Sequence, residues 1–157
     1  MAEKVLVPLD GSKQGEAALG YLSRFVGSLC PESKVSVILL QVVRMHNPYN
    51  EMGGIDGAAL PEGLYDVNWA ENQKQKAQEY LDRSAKQLEG KSIDVTTHIV
   101  MGGNPAEEII KAEKELSCDL VVMATHGRSG LSRWAFGSVT DKVLRAGSVP
   151  VLMVRAQ

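Results

Sequence analysis

Three stretches of this chain fall where a small molecule could be held, and two of them carry residue types suited to polar or anionic groups. The first is Pro8-Leu9-Asp10-Gly11-Ser12. A carboxylate there can accept hydrogen bonds from sugar hydroxyls or ring amines, as recognition of an uncharged nucleoside requires. Equally, Asp10 can cap the helix that follows or close a turn with Gly11. The second stretch is ATHGRSGLSRWAFGSVTDK, from Ala124 to Lys142. Its glycines let the main chain approach an anion closely. The free amides and positive dipole end of a helix starting at Ser138, Val139 and Thr140 favour negative charge there. Glycine and serine at a helix start are also ordinary capping. His126 can orient a phosphate or cap the preceding strand, and without a partner motif it is no sign of catalysis. Arg128 and Arg133 make the same loop locally basic. The third stretch is the end of an apolar run near Val42.

Neither GxxxxGK[ST] nor GxGxxG occurs, so the lysine of the commonest phosphate loop is absent. The sequence shows no acid pair beside such a lysine and no metal-ligand cluster, the parts that orient water and stabilise transferring charge in a hydrolase. A Mg²⁺ or Mn²⁺ accompanying a nucleotide would be held mainly by phosphates and water.

Positioning these stretches requires a scaffold, and the pattern around them supplies one. Short β-branched apolar runs alternate with longer segments of helical period, which argues for βα units around a parallel sheet. Strands are expected at Lys4 to Pro8, within Lys34 to Val43, at Ile93 to Val100, Asp119 to Ala124 and Val149 to Val154. VSVILLQVV and LVVMA are apolar on both faces, as central parallel strands must be. In DVTTHIV, Val95, Thr97 and Ile99 point one way while Thr96 and His98 point the other, which suits a strand near an edge. Ala18, Leu22, Phe25 and Leu29 give the first helix its apolar stripe, and Ala77, Leu81, Ala85 and Leu88 give the second. Asn104-Pro105 opens a third helix, with Glu107 three residues after the cap. Ser138 with Asp141 suggests a capping box for a fourth, ending near Gly147. The result is an α/β doubly wound five-stranded parallel sheet of order 3-2-1-4-5, with helices on both faces, because right-handed crossovers put the reversal between the first and fourth strands. Between Arg44 and about Asp66 no period is sustained, and this segment is expected to be a long loop of the binding or lid kind, or plain disorder.

Length and composition narrow the function. At 157 residues, 44% apolar and 23% charged, the chain suits one globular domain over 1–157. The opening MAEKVLVPLD has no apolar secretory segment, so the expected compartment is the cytoplasm. No stretch approaches a membrane span. Cys30 and Cys118 lack metal-ligand spacing and are expected as small buried residues. A net charge of -2 gives no general attraction to nucleic acid or anionic lipid.

Taken together, these residues resemble the universal stress protein family in its ATP-binding branch, over essentially the whole chain. That family's phosphate motif is a glycine, two residues, a second glycine, nine residues, then glycine with Ser or Thr. Gly127, Gly137 and Ser138 fit the spacing, and Ala124 stands in the first glycine's place. VLVPLDGS, the turn around Gly102-Gly103-Asn104-Pro105 and the closing SVPVLMVR also match. The resemblance implies a fold like that of the adenine nucleotide alpha hydrolases. It implies that Pro8, Leu9 and Asp10 line an adenosine pocket and that Val42 meets the adenine through its backbone. Met123 and Ala124 would border sugar and ring, and Gly127, Gly137, Ser138, Val139 and Thr140 would hold phosphates, with His126 and Arg128 secondary. The implied ligand is ATP, or AMP or ADP, in a nucleotide-dependent regulatory protein of the stress response. The alternatives are a slow ATP hydrolase, or a structural dimer that has lost nucleotide, for which Ala124 speaks. A homodimer is expected through the fifth strand, where Val149, Val151, Leu152, Met153 and Val154 offer an uncharged edge and Pro150 suits an outer strand; the alternative is a monomer whose last strand is shielded by the long loop at 44–66. Trp134 and Phe136 either touch a partner or cover the fourth helix's start.

Overall fold

The computed structural model describes residues 3–29, 34–45, 67–88, 92–125 and 137–156. Cys30, Trp134, Phe136 and residues 46–66, where a long loop is expected, lie outside them. Strands and helices alternate as β1 (Glu3–Pro8), α1 (Ala17–Leu29), β2 (Val35–Val43), α2 (Val67–Ala85), β3 (Ile93–Met101), α3 (Pro105–Glu115), β4 (Leu120–Thr125), α4 (Ser138–Ala146) and β5 (Val151–Arg155). A 3-10 turn at Lys86–Leu88 prolongs α2. All neighbouring strands pair in parallel, in the expected order β3-β2-β1-β4-β5.

β1 occupies the centre because Val5, Leu6 and Val7 are all buried, which demands cover on both faces. Alternate residues serve alternate layers. Val5, Val7 and Leu9 pack with Ala18, Leu19, Leu22 and Val26 of α1 and Leu81 of α2. Leu6, with Ile38 and Leu40, packs with Ala106, Ile109 and Ala112 of α3 and Val143 of α4. The reversal of winding therefore falls between β1 and β4. β3 is an edge, and it carries the alternation expected of one: Thr96 and His98 are exposed while Val95, Thr97 and Ile99 are half-buried.

Some details differ from the sequence reading. The stripe of α1 runs through Leu19 and Val26, seven residues apart and so on one face. Phe25 falls outside it, 36% exposed and stacked on Tyr21 with ring centroids 5.9 Å apart. Asn104 caps α3 as expected, its Oδ1 accepting from the amides of Ala106 and Glu107, but the Glu107 carboxylate takes Lys142 of α4 at 2.7 Å. Ser138 is the first residue of α4 and not its cap; Gly137 holds that position. β5 starts at Val151, so Val149 and Pro150 precede it, and the Pro150 carbonyl accepts from Val121 N at 3.0 Å. A buried carboxylate fixes this approach: Glu113, 1% exposed, accepts from both the amide and the hydroxyl of Ser148. Gly147 is needed there because a Cβ would meet the Val143 carbonyl at 2.6 Å.

Candidate functional site

A crevice opens where β1 and β4 end side by side and their chains leave for opposite faces of the sheet. In open α/β sheets this is where ligands bind. It holds a cavity of about 820 Å³. Every residue expected at the site that lies among the described ones lines it: Pro8, Leu9, Asp10, Val42, Met123, Ala124, Gly137, Ser138, Val139 and Thr140. His126, Gly127 and Arg128 lie outside the described residues.

The β1 side is built by a turn. Asp10 is exposed, and its Oδ1 accepts from Ser12 N at 2.9 Å, so the turn-closing role open to it in the sequence is present. Ser12 Oγ in turn accepts from Gly15 N at 3.0 Å. Gly11 has φ +85°, and a Cβ at Gly15 would stand 2.9 Å from Asp10 Oδ1, so both glycines let the carboxylate lie over the start of α1. No hydrogen bond among the described residues engages the second carboxylate oxygen.

Val42 contributes main chain. Leu9 N donates to Leu40 O at 2.8 Å, the last rung between β1 and β2, while on the far side Gly102 N donates to Val43 O at 2.7 Å. Alternate residues of a parallel strand bond to opposite neighbours, so Val42 turns its amide and carbonyl toward the side that β1 has vacated. Such groups want a partner. The Val42 side chain joins the layer of α3, near Ile109.

The β4 side supplies Met123, 6% exposed, and Ala124. Ala124 is an ordinary strand residue paired with Val154. Among the described non-glycine residues only Ser117 has a positive φ, so alanine at 124 conflicts with no backbone requirement. The conformational demand falls on Gly137, with φ +80° and ψ 146°, a region essentially reserved for glycine. Asp141 N donates to Gly137 O at 2.9 Å and closes the first turn. With glycine as its N-cap, α4 has no side-chain cap. The amides of Ser138, Val139 and Thr140, left over by the helix pattern, therefore stand at the cavity wall. A Cβ at Gly137 would find nothing within 4 Å among the described residues.

The sequence reading missed the opposite wall. Gln73, Lys76, Ala77 and Tyr80 of α2 line the cavity, with Gln14, Gln41 and Arg44. Their spacing of three, one and three residues put the α2 group on one helical face, the same face as Leu81, and that was the available signal. Tyr80 is half-buried, and its phenol is pushed up to about 12, first by burial and then by the nearby charges of Glu16 and Asp10. Ser84 and the Gly11 backbone act in the other direction, yet neither reaches hydrogen-bond geometry, and the buried Tyr80 Oη has no partner among the described residues. The Gln41 Oε1 is in the same condition. Among the described residues, no group of three or more His, Cys, Asp or Glu is placed to hold a metal ion. None of the described helices is long and apolar enough to cross a membrane.

Fold and site together define a doubly wound α/β protein with a ligand-sized cavity at its topological switch point. The chain belongs to the universal stress protein family, whose model matches residues 1–155. It is 28% identical over 160 residues to the universal stress protein MJ0577 of Methanocaldococcus jannaschii, covering 99% of this chain and 96% of that one. The solved structure of MJ0577 superposes with a TM-score of 0.75 at 27% identity, covering 100% of this chain and 98% of that one. Two further relatives share the fold and were solved with nucleotides. A universal stress protein in complex with cAMP gives a TM-score of 0.60 at 19% identity, covering 99% of this chain and 98% of that one. The Archaeoglobus fulgidus protein in complex with dAMP gives 0.63 at 15% identity, covering 98% of each chain.

Proposed function

We propose that this protein binds an adenine nucleotide, ATP or its di- or monophosphate, in the cavity at the strand ends and acts in the cytoplasm as a nucleotide-dependent regulator in the stress response. One observation carries the reading: the amino end of α4, without a side-chain cap, opens onto the same cavity as Asp10 and the Val42 main chain that β1 has stopped covering. A helix amino end suits phosphates, an exposed carboxylate suits sugar hydroxyls, and a free amide and carbonyl suit a base edge. The volume fits: small-molecule sites run from roughly 300 to 1,000 Å³. The relatives solved with cAMP and dAMP support an adenine ligand. A divalent cation carried by the phosphates would be held by them and by water.

The protein acts as a homodimer through β5 in this reading. β5 is the outer strand and, among the described residues, pairs with β4 alone, so one row of its backbone groups has no strand partner there. Val154 is buried within the chain while Val151, Leu152 and Met153 are half-buried, so a partner strand would complete their cover about a two-fold axis.

The test is the mass and phosphate count of any nucleotide carried through purification, followed by the turnover of added ATP. Bound nucleotide with no turnover supports a regulator, turnover makes it a hydrolase, and neither binding nor turnover leaves a structural dimer.

A further inference from the structure

Two buried polar atoms without hydrogen-bond partners among the described residues belong to side chains that line one cavity, both on its wall opposite α4. Native interiors leave few such atoms, and each calls for an explanation. Gln41 Oε1 and Tyr80 Oη are the pair. Gln41 shares a strand face with Val37 and Leu39, which pack toward α1 and α2. Its Nε2 would lie 3.7 Å from a Cβ at Gly11. Tyr80 comes up from α2 to the same corner, near enough to Asp10 to feel its charge. The carboxamide carries a donor and an acceptor side by side, and the Tyr80 phenol lines the same cavity.

Position along the sheet says which part of a nucleotide would reach them. The order β3-β2-β1-β4-β5 puts the amino end of α4 on the β4 side, Asp10 at the end of β1, and Gln41 on β2 beyond it. A ligand with phosphates at α4 and its sugar at Asp10 carries its base over β2. Resting on the nucleotide reading above, we infer that Gln41 and Tyr80 form a base-reading pair, the carboxamide bonding the amino group and adjacent ring nitrogen on one edge of adenine while the Tyr80 hydroxyl donates to a second acceptor. Glutamine is matched to this edge: it accepts from the exocyclic amine and donates to the ring nitrogen. A 6-oxo purine puts an acceptor where Gln41 Oε1 needs a donor. Val42 main chain, one residue further along β2, meets the base on its other polar edge.

The experiment compares affinities for ATP, inosine triphosphate and 2′-deoxy-ATP in the full chain and in Gln41→Met and Tyr80→Phe, which keep shape and remove the polar groups. The unaltered protein should prefer ATP over inosine triphosphate by about ten-fold or more, the usual worth of one matched bidentate pair. Gln41→Met should lose most of that preference while keeping the ratio of ATP to 2′-deoxy-ATP. Tyr80→Phe should weaken all three purine triphosphates several-fold. A preference unchanged in Gln41→Met overturns the inference, and so does a change confined to the 2′-deoxy ratio, which would assign Gln41 to the sugar. If the unaltered protein binds none of the three, the nucleotide reading falls and this inference with it. Unfolding in urea checks that each variant is folded.

Discussion

Replacing Gly137 by valine tests whether the amino end of α4 holds the phosphates. Gly137 sits at φ +80° and ψ 146°, where a non-glycine residue costs roughly 1–3 kcal/mol, more when β-branched. A Cβ meets nothing within 4 Å among the described residues, so in the empty protein the penalty is conformational, with no clash added from them. The variant either stores the strain, seen as a lower urea midpoint, or relaxes it by moving the amides of Ser138, Val139 and Thr140. With phosphates seated against those amides, the isopropyl group occupies their space as well. Stored strain is common to the free and bound protein, so there the ligand loses affinity only to the isopropyl group; where the amides have moved, returning them costs up to ~1–3 kcal/mol, a loss of roughly 5- to 150-fold in affinity. Adenosine, which needs only Asp10 and the base end, should lose little. Titration calorimetry with ATP and adenosine on the same preparations reads the two. Equal losses for both ligands would indicate a damaged crevice, and ATP affinity unchanged despite a lower urea midpoint would show that phosphates bind elsewhere; either refutes the reasoning.

Asp10→Ala should weaken adenosine binding about ten-fold and cost ~0.5–1.5 kcal/mol of stability through the lost bond to Ser12 N; unchanged affinity in a titration would leave Asp10 a turn residue only. Glu113→Ala strands the amide and hydroxyl of Ser148 and should destabilise by ~2–3 kcal/mol in urea, with Glu113→Gln recovering much of it by keeping an acceptor; two variants of equal stability would contradict this. Tyr80, raised to about 12 from 10, favours its protonated form in the fold, so its contribution is complete below pH 10 and is lost as pH climbs toward 12. Stability against pH should therefore fall less steeply in Tyr80→Phe across that window. Leu152→Lys should convert a micromolar dimer to monomer in sedimentation; a wild-type monomer, or an undisturbed dimer in the variant, removes β5 as the interface.

Much of the scaffold was legible in the chain because local physics writes it twice. VSVILLQVV and LVVMA must be buried on both faces, Asn104-Pro105 can start a helix and do little else, and alternating strands and helices with right-handed crossovers admit few strand orders. The sheet order and the crevice at its reversal follow from these, and so does the place of Asp10 and of Val42 at strand ends beside it; Pro8, Leu9, Met123 and Ala124 were implied by the family resemblance, and all of them line the cavity. Only the assembled structure decided which helical face meets the sheet. Phe25 and Val26 both continue the spacing from Leu22, and packing against the strands chose Val26. It also moved the cap of α4 from Ser138 to Gly137, because a left-handed backbone turn carries no signature beyond the glycine itself. Lastly, it brought Tyr80 beside Gln41 and Asp10 across a long sequence separation. Periodicity reports which side of a helix is apolar, whereas polar side chains converge on a cavity only once α2 has docked across β2 and β3, since no local preference couples residues so far apart along the chain.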